Sequence, residues 1–102
     1  MHPDGIKAQM ESGIIYGLTA ALYSDITIRR GAVAQSNFHD YDLLRIGQAP
    51  EIECHFIQSD FPPKGLGEPP IAPATPAITN AIFAATGIRV RELPLQRAGI
   101  VI

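Results

Sequence analysis

Glu68 is the side chain best placed by its neighbours to do chemistry. It sits in Phe61-Pro62-Pro63-Lys64-Gly65-Leu66-Gly67-Glu68-Pro69-Pro70, which gathers four prolines and two glycines around one carboxylate. Proline fixes φ and removes a backbone donor. Glycine opens backbone angles that other residues avoid and lets a ligand approach the main chain, so Gly67 beside Glu68 is a candidate contact position. Pro69 restricts Glu68 toward extended backbone. A carboxylate presented on such a stiff path is pre-positioned for proton transfer. The competing reading is a rigid surface turn that carries a solvated Glu.

The other reactive types are less organised. His39-Asp40 lies in residues 36–50, which have no sustained period. One His without a second ligand at helical or strand spacing is weak evidence for a metal, and the default is a pair that satisfies loop hydrogen bonds. Cys54 is the single cysteine, so there is no internal disulfide framework and no zinc pattern. It reads as a small buried apolar residue. There is no Ser–His–Asp signature and no phosphate-binding glycine loop of the Walker type.

The elements that must position Glu68 follow from periodicity. Asp4-Gly5 reads as a turn whose Asp caps a helix. Met10, Ile14, Leu18, Ala21 and Leu22 then fall at helical spacing up to Tyr23. Gly13 and Gly17 lie four apart on one face. Each costs about 1 kcal/mol relative to Ala in a helix, which points to a strand or second helix packed close to the backbone. Asp25-Ile26-Thr27-Ile28-Arg29 alternates, Arg30-Gly31 turns, and Ala32-Val33-Ala34-Gln35 returns as a hairpin. Residues 51–58 alternate, with Ile52, Cys54 and Phe56 on one face and Glu51, Glu53 and His55 on the other, and this strand leads into the Glu68 loop. Thr75 as N-cap and Pro76 at the first position predict a second helix that stops at Gly87. Ile88-Arg89-Val90-Arg91 reads as a short strand. The apolar tail Gly99-Ile100-Val101-Ile102 is expected to dock on its own domain or on a partner.

With 102 residues the default is one domain. The predicted class is α+β: two main helices packed on a small, mostly antiparallel sheet. The net charge of −2 supplies no basic patch for nucleic acid. No run reaches the roughly 18 apolar residues of a spanning helix, and Met1-His2-Pro3-Asp4-Gly5 does not read as a signal segment. The expectation is a cytoplasmic chain.

Several segments carry a family resemblance, in order along the chain. Lys64-Gly65-Leu66-Gly67-Glu68-Pro69-Pro70 resembles the Gly-x-Gly-Glu-Pro loop near the C-terminus of molybdenum hydroxylase large subunits, the xanthine oxidase and aldehyde oxidoreductase family. Gln9-Met10-Glu11-Ser12-Gly13 resembles its Gln-x-Glu-Gly-Gly helix start, with Ser12 in place of the usual glycine. Gln35-Ser36-Asn37-Phe38-His39-Asp40-Tyr41 resembles the isoquinoline 1-oxidoreductase branch. Asn80-Ala81-Ile82-Phe83-Ala84-Ala85-Thr86-Gly87 and Arg91-Glu92-Leu93-Pro94-Leu95 resemble the closing helix and tail. The likeness runs from about His2 to Leu95 and covers only one end of a much longer subunit.

The resemblance implies a fragment of a larger molybdopterin-binding domain, acting on N-heteroaromatic or aldehyde substrates. It implies Glu68 as general base, and Gln9 with Gly67 against the molybdopterin cofactor. It implies as partners the remainder of the large subunit and an iron–sulfur small subunit. Ser12, if it touches the cofactor, would crowd it. A large organic cofactor needs an enclosed site with many convergent groups, so the isolated chain is expected to bind none and to be inactive. Apolar surface left bare by missing neighbours would drive formation of a homo-oligomer. The alternative is a freestanding remnant that serves as a binding or assembly module without catalysis.

Overall fold

The computed structural model describes residues 2–100. Helix α1 spans Pro3–Leu22. A two-residue ladder follows, with β1 Ile28–Arg29 antiparallel to β2 Ala32–Val33. A single 3₁₀ turn covers Ile46–Gln48. Helix α2 spans Ile71–Thr86. Two helices and a small antiparallel sheet are the expected α+β content. The helices pack on each other, and the hairpin stands apart from them.

The helix pair is organised by a stripe on α1. Gly13, Gly17 and Ala21 are its buried residues, spaced by four so that they share one face. A Cβ at Gly13 would meet Pro70 Cγ at 2.8 Å, and one at Gly17 would meet the Ile71 carbonyl oxygen and Ala74 Cβ, the latter at 2.8 Å. The two glycines are therefore the surface against which the start of α2 lies. Thr75 Oγ1 donates to the Gly17 carbonyl at 3.2 Å across the same contact. At the end of the stripe, Leu95 N–H donates to the Ala21 carbonyl at 2.8 Å, and Leu95 is fully buried. The tail thus returns to α1, and a two-contact ion pair holds it there, Arg97 Nη2 to Asp25 Oδ1 at 2.7 Å and Arg97 Nε to Asp25 Oδ2 at 3.1 Å. Ile100 is half-buried; Val101 and Ile102 lie outside the described residues.

Helix α2 begins five residues before the Pro76 start read from Thr75-Pro76. Pro70 is the N-cap and Ile71 the first helical residue. Pro73 then falls among the first N–H positions, which have no helical partner in any case. Pro76 is inside the helix, where it removes one hydrogen bond. The Thr75 hydroxyl serves the interhelix bond in place of a cap. Gly87 does stop the helix, at φ 75°, with its N–H donating to the Phe83 carbonyl at 2.8 Å.

The hairpin turn puts Arg30 at φ 52° and Gly31 at φ 79°, the two positive values of a tight primed turn. Gln35 lengthens the ladder by side chain, since its Oε1 accepts from Thr27 N–H at 2.9 Å. Residues 51–58 run without any ladder partner, so the alternation is present but no sheet forms around it. Residues 88–91 likewise form no strand.

His39-Asp40 is explained by the loop itself. Asp40 accepts from Ser36 N–H at 2.9 Å, Asn37 N–H at 2.9 Å and Ser36 Oγ at 3.1 Å. These bonds, the Asn37 N–H first and the Ser36 N–H second, hold its carboxyl below the usual carboxylate range, and His39 adds to the effect. The loop is tied to the end of α1 by Tyr41 Oη donating to Ser24 Oγ and by Gln48 Nε2 donating to Tyr23 Oη, both at 2.9 Å.

The molecule is open for its size. The buried hydrophobic residues are Ala21, Ala74 and Leu95, while Ile46, Ile57 and Phe61 stand in solvent. The radius of gyration is 16.3 Å, against about 13 Å for a compact chain of this length. The accessible surface is 7929 Å², against roughly 5,600 Å² for a compact monomer of this mass.

Two outcomes follow from this packing. Gly17→Ala adds helix propensity worth about 1 kcal/mol but drives a methyl into the Ile71 carbonyl; the thermal midpoint of helical circular dichroism is expected to fall. A rise would show that α2 does not rest there. The Asp40 bonds stabilise the loop fully at neutral pH, because the folded carboxyl titrates below its unfolded value. That contribution disappears as pH drops from the usual carboxylate range through the lower folded value. Amide exchange at Ser36 and Asn37 is expected to accelerate, relative to the intrinsic rate, over that window, and Asp40→Asn to remove the pH dependence.

Candidate functional site

The Glu68 loop is seated on the N-terminal half of α1 by the same stripe. Gln9 lies four residues before Gly13, so it continues that face toward the helix start. A Cβ on Gly67 would touch Gln9 Oε1 at 3.5 Å. Gly67 and Gln9 are therefore neighbours in space although 58 positions apart in the chain, and Glu68 follows Gly67 directly. Pro70 is buried on Gly13, and the Glu68 carbonyl accepts from Ile71 N–H at 2.9 Å, which ties the loop to the first residue of α2. Leu66 turns into a groove of about 380 Å³ whose walls include Ile6, Met10, Ile14, Cys54 and Phe56.

The position of Glu68 is thus set on both sides, by a buried proline after it and an anchored leucine before it. Its environment is not. Glu68 is exposed, as are Gln9 and Gly67. No ion pair joins Lys64 to Glu68 among the described residues. Ser12 is exposed and borders a groove with Ala8, Ile15, Leu43 and Leu44. Cys54 is half-buried and unpaired with any other thiol. His55 Nε2 lies 3.2 Å from Glu53 Oε1, both largely exposed.

Two polar side chains and a glycine on an open face do not enclose a large organic cofactor. Among the described residues, no buried side-chain N or O is left without a partner and waiting for a ligand, and no group of three His, Cys, Asp or Glu converges. The residues present do not by themselves fit a molybdopterin site. The Gln9–Gly67 contact was not readable from periodicity. The one signal for it was the family likeness, which sets both residues against the same cofactor.

No family model matches the chain. It is 42% identical over 96 residues to the isoquinoline 1-oxidoreductase subunit beta of Brevundimonas diminuta, which covers 94% of this chain and 12% of that one. It is 41% identical to the membrane-bound aldehyde dehydrogenase (pyrroloquinoline-quinone) of Gluconacetobacter polyoxogenes, over 96% of this chain and 13% of that one. It is 34% identical to the putative xanthine dehydrogenase molybdenum-binding subunit XdhA of Escherichia coli K12, over 93% of this chain and 14% of that one. A crystal structure of the Cu,Mo-CO dehydrogenase in its carbon monoxide reduced state shares the fold at a TM-score of 0.73 and 23% identity, covering 88% of this chain and 13% of that one. No helix among the described residues is long and apolar enough to cross a membrane. Over nearly its whole length the sequence is therefore homologous to a segment that spans 12–14% of these relatives, oxidoreductases among which is a molybdenum-binding xanthine dehydrogenase subunit.

Proposed function

We propose that this chain forms one wall of the active centre of a molybdopterin-dependent oxidoreductase that hydroxylates N-heteroaromatic or aldehyde substrates, with Glu68 as general base. The observation that carries the reading is the joint seating of Gln9, Gly67 and Glu68 on the α1 stripe. A residue adjacent to Gln9 in space and followed by a buried proline is held in position without being covered. The cofactor, when bound in the assembled subunit, supplies the redox chemistry. Glu68 accepts a proton at a carboxylate oxygen and returns it, and Gln9 and the Gly67 backbone face the organic part of the group.

The open surface supports a larger assembly. The accessible area of 7929 Å² exceeds the compact-monomer value by roughly 2,300 Å². A stable interface buries about 1,200–2,000 Å² in total. The remainder of the large subunit, with an iron–sulfur subunit beyond it, is the partner in this reading, and the compartment is the cytoplasm. The isolated chain binds no molybdopterin and turns nothing over.

Two measurements test this. Metal and pterin analysis of the purified 102-residue chain is expected to find neither at stoichiometric level, and finding both would overturn the one-wall reading. In an assembly with the remaining subunit portion, heterocycle or aldehyde oxidation is expected to return with bound molybdenum. Glu68→Gln is expected to lower kcat by 10²-fold or more with molybdenum content unchanged. Undiminished turnover in that variant removes Glu68 from the mechanism. Because one relative is named for pyrroloquinoline quinone, activity that tracks this quinone and not molybdenum would replace the cofactor assignment.

A further inference from the structure

Residues 51–58 have the form of a strand and none of its bonds. No backbone N–H or carbonyl in this segment is hydrogen-bonded among the described residues. The two-fold period is nevertheless realised in burial: Ile52 and Cys54 are half-buried, while Glu51, Glu53 and His55 are exposed. The segment already lies beside α1, since residues 53–57 border the groove on Ile6, Met10 and Ile14. Further along, Ile57 is 95% exposed and Phe56 49% exposed. The segment contains no Gly or Pro, the residues that open loops use. An apolar extended edge left bare in this way is a template for pairing.

We propose that residues 51–58 are a β-strand whose ladder is completed by a strand from the polypeptide that the relatives carry outside the matched segment. The proposal rests on the one-wall reading above and names the contact that joins the wall to the rest. The matched relatives extend far beyond this chain, which covers 12% and 13% of the first two, so most of their polypeptide is available as the occupant. Its chemistry is constrained. Glu51 and Glu53 are exposed, Lys7 borders the same groove as both without an ion pair to either among the described residues, and His55 lies 3.2 Å from Glu53. An incoming strand with Lys or Arg on that face and apolar residues on the other complements this acidic pair. A parallel, in-register second copy would set Glu51 on Glu51 and Glu53 on Glu53, which is unfavourable.

The test is co-expression of the full chain with the Brevundimonas diminuta subunit beta lacking its 96 matched residues, followed by hydrogen exchange at single amides. Complex formation is expected to slow exchange on the order of 100-fold within residues 52–57. The effect should fall on alternate amides if one edge is paired and on all of them if both are. Cys54→Pro and His55→Pro remove an N–H from opposite edges; at least one is expected to abolish the complex while helical circular dichroism of the free chain is unchanged. Failure of the two pieces to associate overturns the proposal. So does a complex in which these amides still exchange at the free-chain rate. Slowing that appears in the chain alone and grows with its concentration also overturns it, and identifies a second copy as the occupant. The one-wall reading is read out separately: slowed exchange in a complex whose turnover ignores Glu68→Gln keeps the ladder and removes the general base.

Discussion

The close approach of α2 to the Gly13–Gly17 face of α1 is the contact on which the rest depends. Helix backbones come this near only where side chains are missing, and here Pro70, Ile71 and Ala74 occupy the space that two Cβ atoms would take. The two glycines cost about 2 kcal/mol of helix propensity between them. That cost is offset only while α2 is in place, so the helix and its partner are coupled. On its C-terminal side Glu68 is fixed through the same contact, because Pro70 is both the cap of α2 and the residue lying on Gly13. The Leu95 tail uses the next step of the same face, through Ala21. One stripe therefore holds the functional loop at one end and the chain's closing segment at the other.

Local rules made much of this legible. The stop at Gly87 and the Arg30-Gly31 turn depend on neighbours in sequence and formed where their patterns placed them. Helix α1 formed too, but it starts at Pro3 with His2 as its cap, Nδ1 accepting from Gly5 N–H, and Asp4 falls inside its first turn instead of capping it. The two glycines announced a close neighbour and got a helix. The start of α2 was less readable. Thr75-Pro76 has the form of a cap followed by a first-turn proline, yet Thr75 bonds Gly17 across the interface and Pro70 takes the cap. A long-range contact outweighed a local signature. The neighbourhood of Gln9 and Gly67 also depends on packing between distant segments, and only the family likeness pointed to it.

Residues 51–58 and 88–91 fall short for a different reason. Their alternation is real, but a strand is a property of a pair, and neither has a partner among the described residues. The same holds for burial. Ile46, Ile57 and Phe61 are apolar residues without a core to enter. Periodicity reports what a segment is suited to join, and a polypeptide that matches an eighth or so of its relatives does not contain everything its segments are suited to join.

Glu68 brings the separation to its sharpest form. Proton transfer needs a carboxylate in the right place and in the right medium. Place comes from short-range stiffness: Pro69 and Pro70, the Gly13 seat, and the bond from Ile71 N–H to the Glu68 carbonyl. Medium comes from what excludes water, and on this face nothing in the chain does so, since Glu68, Gln9 and Gly67 are all exposed. The first property is encoded within this chain, partly in adjacent prolines and partly in the distant Gly13. The second is not, and an aqueous dielectric weakens every electrostatic effect that would tune the group. In the proposed reading this chain holds the carboxylate in place, and a further surface closing over it supplies the medium.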